Sequence, residues 1–445
     1  MKYHSTRHEH LVTFRDTLFN GIGENGGLYI PESIPEFDLD QLFTKTFFSF
    51  RKKPVFNDIA FKVYRKFIDP EEIPDHDLKQ IIKKSFGTFR SKLITPLVKL
   101  NKDLFVLELF HGPTYAFKDI ALQFLGNVLQ YFLRRTKSHI NIICATSGDT
   151  GSAAIYAVRY KTDISCFVLH PKDRVSSIQK AQMTSILDAN IFNYEIEGTF
   201  DDCQRIVKIL NASTPETTTF NSINWCRIMV QITYYFYAYA QMNTVDKISF
   251  SVPTGNFGDI LAGFYARKMG LPIDQLIIAT NENKTLSHFI RTGKLNPSQV
   301  IETLSPAMDI SLPSNLERLL YYYDYNYDTH TISKENLHEL QKIFKCESIT
   351  NEMTIRTIQY IYDKYNYTID PHTAVGVAAA EILRLEPVIC LATAHPGKFP
   401  ETMNAALNNE CLPKELSKLL SKPQKYTTLS KLDALSRIKD DIAIR

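Results

Sequence analysis

Leu104-Phe105-Val106-Leu107-Glu108-Leu109-Phe110-His111-Gly112-Pro113-Thr114-Tyr115-Ala116-Phe117-Lys118-Asp119 reads as a buried strand, a turn and the opening of a helix. The apolar run 104–109 has the length of a strand, Gly112 and Pro113 interrupt it, and a helical pattern follows over 118–134. The same grammar recurs along the chain. Short β-branched runs stand at 140–145, 164–169, 247–252, 275–280 and 387–392. Helical patterns fill most of the gaps, at 150–160, 175–189, 224–243, 258–269 and 371–384. Continuous apolar strands are buried on both faces, and strands alternating with helices imply parallel sheets covered by helices, an α/β fold.

The chain has 445 residues, more than one small core organises, so two or three domains are expected. Basic and acidic residues nearly balance (51 Lys+Arg against 48 Asp+Glu, net +3), and short clusters such as Arg51-Lys52-Lys53 and Arg134-Arg135 suit solvated helix faces rather than nucleic acid. The seven cysteines form no Cys-x-x-Cys pair and lie largely in apolar runs, the pattern of buried free thiols in a reducing compartment. With no signal-like apolar stretch at the start and no run of membrane-spanning length, a cytoplasmic protein without membrane partners is expected.

Residues 1–95 differ in character: rich in Phe, Lys, Ile and Asp, and punctuated by Pro31, Pro35, Pro54, Pro70 and Pro74, they are expected to form a mostly helical N-terminal cap. The tail 412–445 reads as amphipathic helices, with Leu429, Leu432, Leu435 and Ile438 at three-residue steps. The tyrosine-rich stretch Tyr321–Tyr327 is read as a helix end packed on the core.

Ligands in open α/β sheets sit at the carboxyl ends of strands, so the strand–helix junctions are where chemistry is sought. At the first, Lys118 falls in the opening helical turn, where the macrodipole disfavours a cation. A desolvated, neutral or covalently used amine explains it; on residue type alone, a surface lysine paired with Asp119 is the simpler account. The second junction, Ala145-Thr146-Ser147-Gly148-Asp149-Thr150-Gly151, carries more hydroxyls than one N-cap needs, and it reads equally as a cap or as an anion cradle. The third, Pro253-Thr254-Gly255-Asn256-Phe257-Gly258-Asp259, has glycines that let successive N–H groups converge on a phosphate, with Asp259 placed to cap the helix. The fourth, Ala392-Thr393-Ala394-His395-Pro396-Gly397-Lys398, needs no more than a strand end and a turn. Two decoys fail. Gly21-Ile22-Gly23-Glu24-Asn25-Gly26 matches a dinucleotide fingerprint but lacks the preceding strand and following helix. His4, His8 and His10 have no acidic or cysteine partner at metal-ligand spacing, so no metal is expected, and a mobile N-terminus accounts for them.

Together these segments resemble the threonine synthase branch of the pyridoxal-phosphate fold-type II family. The resemblance runs in order through Tyr3-His4-Ser5-Thr6-Arg7, Gly26–Pro31, Glu108–Asp119, Ala145–Gly151, Asn221–Trp225, Ser251–Asp259, Ser305–Asp309, Asp370–Gly376 and Thr393–Pro396. Departures are small: His8 stands where the family usually has glycine, and Gly397 where alanine is common. The resemblance implies a tryptophan synthase β-like fold. Its large cofactor domain would be formed by 96–135 and 245–411 and its smaller substrate domain by 136–244, with the 1–95 cap in front and the 412–445 helices behind. It further implies pyridoxal 5'-phosphate as cofactor, Lys118 as its Schiff-base lysine, and Gly255, Asn256, Phe257, Gly258 and Asp259 as the loop on its phosphate. Thr393 would face the pyridine nitrogen, and Ser147, Asp149, Thr150 and Arg7 would contact the substrate.

The implied reaction converts O-phospho-L-homoserine and water into L-threonine and phosphate, in a monomer or homodimer. The same site would also serve a phospholyase releasing 2-ketobutyrate. A serine or threonine dehydratase is disfavoured by the long cap and the His-Gly-Pro-Thr segment. A non-catalytic binding protein on the same fold is disfavoured by the intact Lys118, Gly255–Asp259 and Thr393.

Overall fold

The structure is a computed structural model that describes residues 1–42, 54–242 and 246–444. The basic cluster Arg51-Lys52-Lys53 lies outside the described residues. The chain opens with strands β1 (Tyr3–Ser5) and β2 (His8–Val12), helix α1 (Phe14–Asn20) and β3 (Tyr29–Pro31). Helices α2 (Phe56–Phe67) and α3 (Asp75–Phe86) follow, then β4 (Leu97–Lys99), β5 (Leu104–Glu108) and α4 (Lys118–Thr136). An alternating stretch comes next: β6 (Ile140–Ala145), α5 (Asp149–Val158), β7 (Ile164–Pro171), α6 (Ser177–Thr184), β8 (Ile191–Glu197), α7 (Phe200–Ser213), β9 (Thr217–Thr218) and α8 (Trp225–Met242). The second half contributes β10 (Ile248–Pro253), α9 (Gly258–Lys268), β11 (Ile273–Thr280), β12 (Phe344–Ser348), β13 (Val388–Ala392) and β14 (Thr427–Ser430).

Two large sheets result. The six-stranded sheet has the order β12-β11-β10-β13-β5-β4 and is parallel except for the β4–β5 edge. The five-stranded sheet, β14-β8-β7-β6-β9, is parallel throughout. The six strands expected from apolar runs are all present, and their central residues are buried on both faces, as helix-covered parallel strands require. The register sets β13 between the first and third junctions: Cys390 pairs with Val106 on one side and Ser251 on the other. The carboxyl ends of β5, β13 and β10 therefore emerge side by side.

The strand β8 escaped the sequence pattern because two of its inward residues are polar. Asn193 donates to the Met183 carbonyl at 3.2 Å, and Glu195 pairs with Lys180 at 2.5 Å, so satisfied polar groups stand where apolar ones signal a strand. The N-terminal region is less helical than expected. β1 pairs antiparallel with both β2 and β3, and strands of three to five residues are too short to display a period. His4, His8 and His10 thus lie on paired strands rather than in a mobile arm, and no metal-competent group of His, Cys, Asp and Glu occurs among the described residues.

The tail also departs from its helical expectation. A four-residue helix, Lys414–Ser417, leads to β14, which adds to the free edge of β8, and only then does the helix Ala434–Ala443 form. Leu429 is consequently on a strand and Leu432 is 91% exposed, whereas Leu435 and Ile438 join the apolar cluster that α7 forms with β6, β7 and β8.

Tyr3, Phe67 and Tyr265 surround the fully buried Trp225 with ring centroids 5.2–5.8 Å away, so the first residues of the chain share the main core with α8 and α9. Tyr323 and Tyr325, just past the helix Leu316–Tyr321, are buried in this core as expected. Six of the seven cysteines are buried and all are free. No helix among the described residues is long and apolar enough to cross a membrane.

Candidate active site

The carboxyl ends of the two sheets face a cavity of about 930 Å³. Lys118, Ser147, Thr150, Gly255, Asn256, Phe257, Gly258, Asp259 and Thr393 all line it, so residues from four junctions distant in sequence share one space. Arg7 does not join them. It lies half-exposed, ion-paired to Glu317 at 2.6 Å.

Lys118 is the first residue of α4, preceded by Phe117, which offers no side-chain cap. Its ammonium position would be costly in the open, but the side chain is only 13% exposed and its Nζ lies 3.6 Å from Asp149 Oδ2. Burial lowers the amine's affinity for a proton; Asp149 opposes this, while Arg227 and Lys398 reinforce it. The partnership with Asp119 that a surface lysine would need is absent. Asp119 turns back instead to accept from the backbone N and the Oγ1 of Thr114, both at 2.7 Å, and burial pushes its carboxyl up to about 6. That fold-back explains Gly112, because a β-carbon there would collide with the Asp119 side chain.

At the second junction, Thr146 Oγ1 accepts from the N–H groups of Gly148 and Gly151, each at 2.9 Å, and so provides the cap for α5. Ser147 and Thr150 are left facing the cavity. Gly148 has φ of 131°, and a β-carbon there would sit 2.5 Å from Gln179 Cδ. Asp149 points the other way. Its Oδ1 accepts from Lys398 Nζ at 2.6 Å and from Gln179 Nε2 at 2.8 Å, while Oδ2 faces Lys118. Burial alone would raise the Asp149 carboxyl, but Lys398 and Lys118 hold it well below the usual carboxylate range. Its negative charge is thus committed to lysines.

The third junction forms the expected loop. Phe257 takes the left-handed conformation (φ 64°) and is buried, and α9 begins at Gly258. A β-carbon on Gly255 would approach the Ala307 carbonyl oxygen to 2.6 Å, so the loop packs flush against the turn Pro306–Met308. The first N–H groups of α9 have no acceptor within their own helix and open toward the cavity. Asp259 does not cap this helix. Its Oδ1 accepts from the hydroxyls of Tyr234 and Tyr235, and burial pushes it up to about 6. At the fourth junction, the Thr393 carbonyl accepts the N–H of Phe117 at 2.8 Å, which sets Thr393 beside the base of Lys118.

Three further residues were not singled out from the sequence, although Lys398 closes the fourth junction and His372 lies in the Asp370–Gly376 motif. Arg227 on α8 is 3% exposed and lines the cavity. It donates through Nη1 to the Phe220 carbonyl at 2.8 Å, its Nε has no partner, and burial lowers the guanidinium to about 10. His372, in the opening turn of the helix Pro371–Leu383, meets Asp370 Oδ1 through Nδ1 at 2.9 Å and accepts the Ala307 N–H at Nε2 (3.2 Å), which assigns the neutral tautomer and braces the turn against Gly255. Lys398 is fully buried and donates to the Thr114 carbonyl at 2.9 Å as well as to Asp149.

Residues 90–390 match the family model "Pyridoxal-phosphate dependent enzyme", residues 2–86 match "Threonine synthase N terminus", and residues 373–442 match "Threonine synthase, C-terminal". Among similar proteins, threonine synthase of Saccharomyces cerevisiae is 43% identical over 97% of this chain and 95% of its own length. That of Pseudomonas aeruginosa is 40% identical over 96% of each. The crystal structure of threonine synthase with bound pyridoxal phosphate from Brucella melitensis superimposes with a TM-score of 0.91 at 38% identity, covering 99% of this chain and 98% of that one. The fold is accordingly the expected fold-type II α/β architecture, and its cofactor is pyridoxal phosphate. The chain belongs to the threonine synthase family of pyridoxal-phosphate-dependent lyases.

Proposed function

We propose that the protein converts O-phospho-L-homoserine and water into L-threonine and inorganic phosphate, with Lys118 as both the cofactor-linking residue and the group that moves protons. The observation that carries this reading is a buried amine whose affinity for a proton is lowered by burial, at the rim of a cavity lined by two separate strand–helix turns that can each receive an anion. A substrate phosphate and a cofactor phosphate need two such places.

The residues suit the cofactor. The Gly255–Gly258 backbone and the Arg227 guanidinium, which lines the same cavity, can supply N–H donors for a phosphate, and Gly255 admits no side chain that would fill the cradle. Thr393 offers a hydroxyl to the pyridine nitrogen, a partner that does not enforce a positive charge there. When bound, pyridoxal phosphate supplies the electron sink that stabilises negative charge on the substrate carbons.

The chain's own work is proton and anion management. The Lys118 amine, once displaced by the substrate amine, accepts the α-proton and serves the later transfers at Cβ and Cγ. Ser147, Thr150 and the first turn of α5 receive an anionic group of the substrate, and Asp149 keeps Lys118 oriented. Phosphate leaves from Cγ, and water adds at Cβ.

Incubating the purified protein with O-phospho-L-homoserine and measuring phosphate, threonine and 2-ketobutyrate together tests the reading. Equal phosphate and threonine are expected. Phosphate accompanied by 2-ketobutyrate and ammonia would assign a phospholyase instead. Lys118→Ala should abolish turnover and the visible absorbance of the lysine-linked cofactor.

A further inference from the structure

Asp149 stands between two lysines on different elements. Lys118 opens α4 and Lys398 ends the turn after β13, 280 positions later, yet each approaches a different oxygen of the same carboxylate, at 3.6 Å and 2.6 Å. Lys398 is completely buried, which for a lysine demands a paid-up set of partners, and it has them: Asp149 Oδ1 and the Thr114 carbonyl at 2.9 Å. Gln179 donates to the same Oδ1 at 2.8 Å, and Gln182 donates to the same Thr114 carbonyl at 3.0 Å. Side chains from three other elements thus converge on one buried carboxylate, whose shortest contact is with the lysine that does not line the cavity.

We infer that Lys398 is a positioning residue for Lys118: by occupying Asp149, it weakens the counterion available to Lys118 and so keeps that amine ready to accept a proton. The inference rests on the reading of Lys118 as the proton-moving group. Without Lys398, Asp149 would have one ammonium partner, and the closer pair would favour charged Lys118. The charged groups facing Lys118 are few enough to make the effect separable. Asp149 favours its protonation, and Asp259 across the cavity carries an interaction of the same sign. Arg227 and Lys398 oppose it, and Arg227 stands on α8, apart from the carboxylate.

The test uses the loaded enzyme and three variants. Lys398→Gln can still donate to Asp149 and Thr114 but is neutral; Lys398→Arg keeps the charge; Asp149→Asn removes the counterion. The acid limb of kcat against pH reports the base in the substrate complex. Lys398→Gln should move that limb upward by about one pH unit, a tenfold loss of free amine at a given acidic pH. Lys398→Arg should restore it, and Asp149→Asn should move it the opposite way. The visible absorbance of the bound cofactor, titrated without substrate, should shift with pH in Lys398→Gln but not in Lys398→Arg. A Lys398→Gln enzyme that loses activity with an unmoved limb and an unmoved absorbance titration would show a purely structural lysine and overturn the inference. Should Lys398→Gln fail to fold, Lys398→Arg and Asp149→Asn decide alone: identical limbs in those two and the native enzyme would overturn it. Lys118→Ala separates the two readings. Retained turnover in Lys118→Ala removes the premise, whereas lost turnover with no Lys398 effect removes only the inference.

Discussion

The carbonyl oxygen of Thr393 accepts the backbone N–H of Phe117 at 2.8 Å, so the residue before Lys118 is tied to the end of β13 by main chain alone. The Thr393 hydroxyl takes no part in that tie. Thr393→Val should therefore leave Lys118 in place and the visible absorbance of the bound cofactor present. Losing one hydrogen bond between neutral groups costs about 0.5–1.5 kcal/mol, so kcat should fall roughly two- to tenfold. Steady-state kinetics beside an absorbance spectrum checks both halves; loss of cofactor in Thr393→Val would contradict the division.

Gly255→Ala places a methyl group 2.6 Å from the Ala307 carbonyl oxygen, which is backbone and cannot swing aside. Overpacking of this kind costs about 1–3 kcal/mol. Because the loop and the turn Pro306–Met308 must separate to admit the methyl, most of the loss is expected in cofactor affinity. Equilibrium dialysis should show cofactor binding at least tenfold weaker, with a smaller drop in the melting temperature of the cofactor-free protein.

Arg227 is a buried guanidinium with one carbonyl partner and an orphaned Nε. Such a group costs stability until an anion arrives. Arg227→Met should raise, or leave unchanged, the melting temperature of the cofactor-free protein while weakening pyridoxal phosphate binding by about ten- to a hundredfold. Binding of unphosphorylated pyridoxal should change far less. Equal losses for the two ligands would place Arg227 away from the phosphate.

Asp259 gives a pH signature. Burial pushes its folded carboxyl up to about 6, only partly offset by the hydroxyls of Tyr234 and Tyr235, above its value of about 4 in the unfolded chain. The folded state then favours the protonated form, so this residue's contribution is intact below pH 4 and is lost as pH rises through 6. Asp259→Asn keeps an acceptor for both tyrosine hydroxyls without the charge. It should be more stable than the native protein at pH 8, by on the order of 1–3 kcal/mol, and no more stable at pH 4. Thermal melts of the cofactor-free proteins at the two pH values measure the difference.

The amino-acid sequence by itself determined the six buried strands, the helices after them and the junctions where ligands belong. Those signals are local: a β-branched run, a glycine that must turn the backbone, a helix start, each complete within about fifteen neighbouring residues. The Gly255–Asp259 loop was legible on that basis, whereas Lys118 and Thr393 read locally as a surface lysine and a strand end, and only the ordered family motifs pointed to them. Tertiary structure decided the rest, because it depends on residues far apart in sequence meeting through the register of β13 between β5 and β10. Asp149, expected at the substrate, is engaged by Lys118 and Lys398; Arg7 is held outside by Glu317; Arg227 enters from the middle of the apolar run that forms α8. A charge's role follows from which opposite charge is buried with it, and no spacing along the chain encodes that partner.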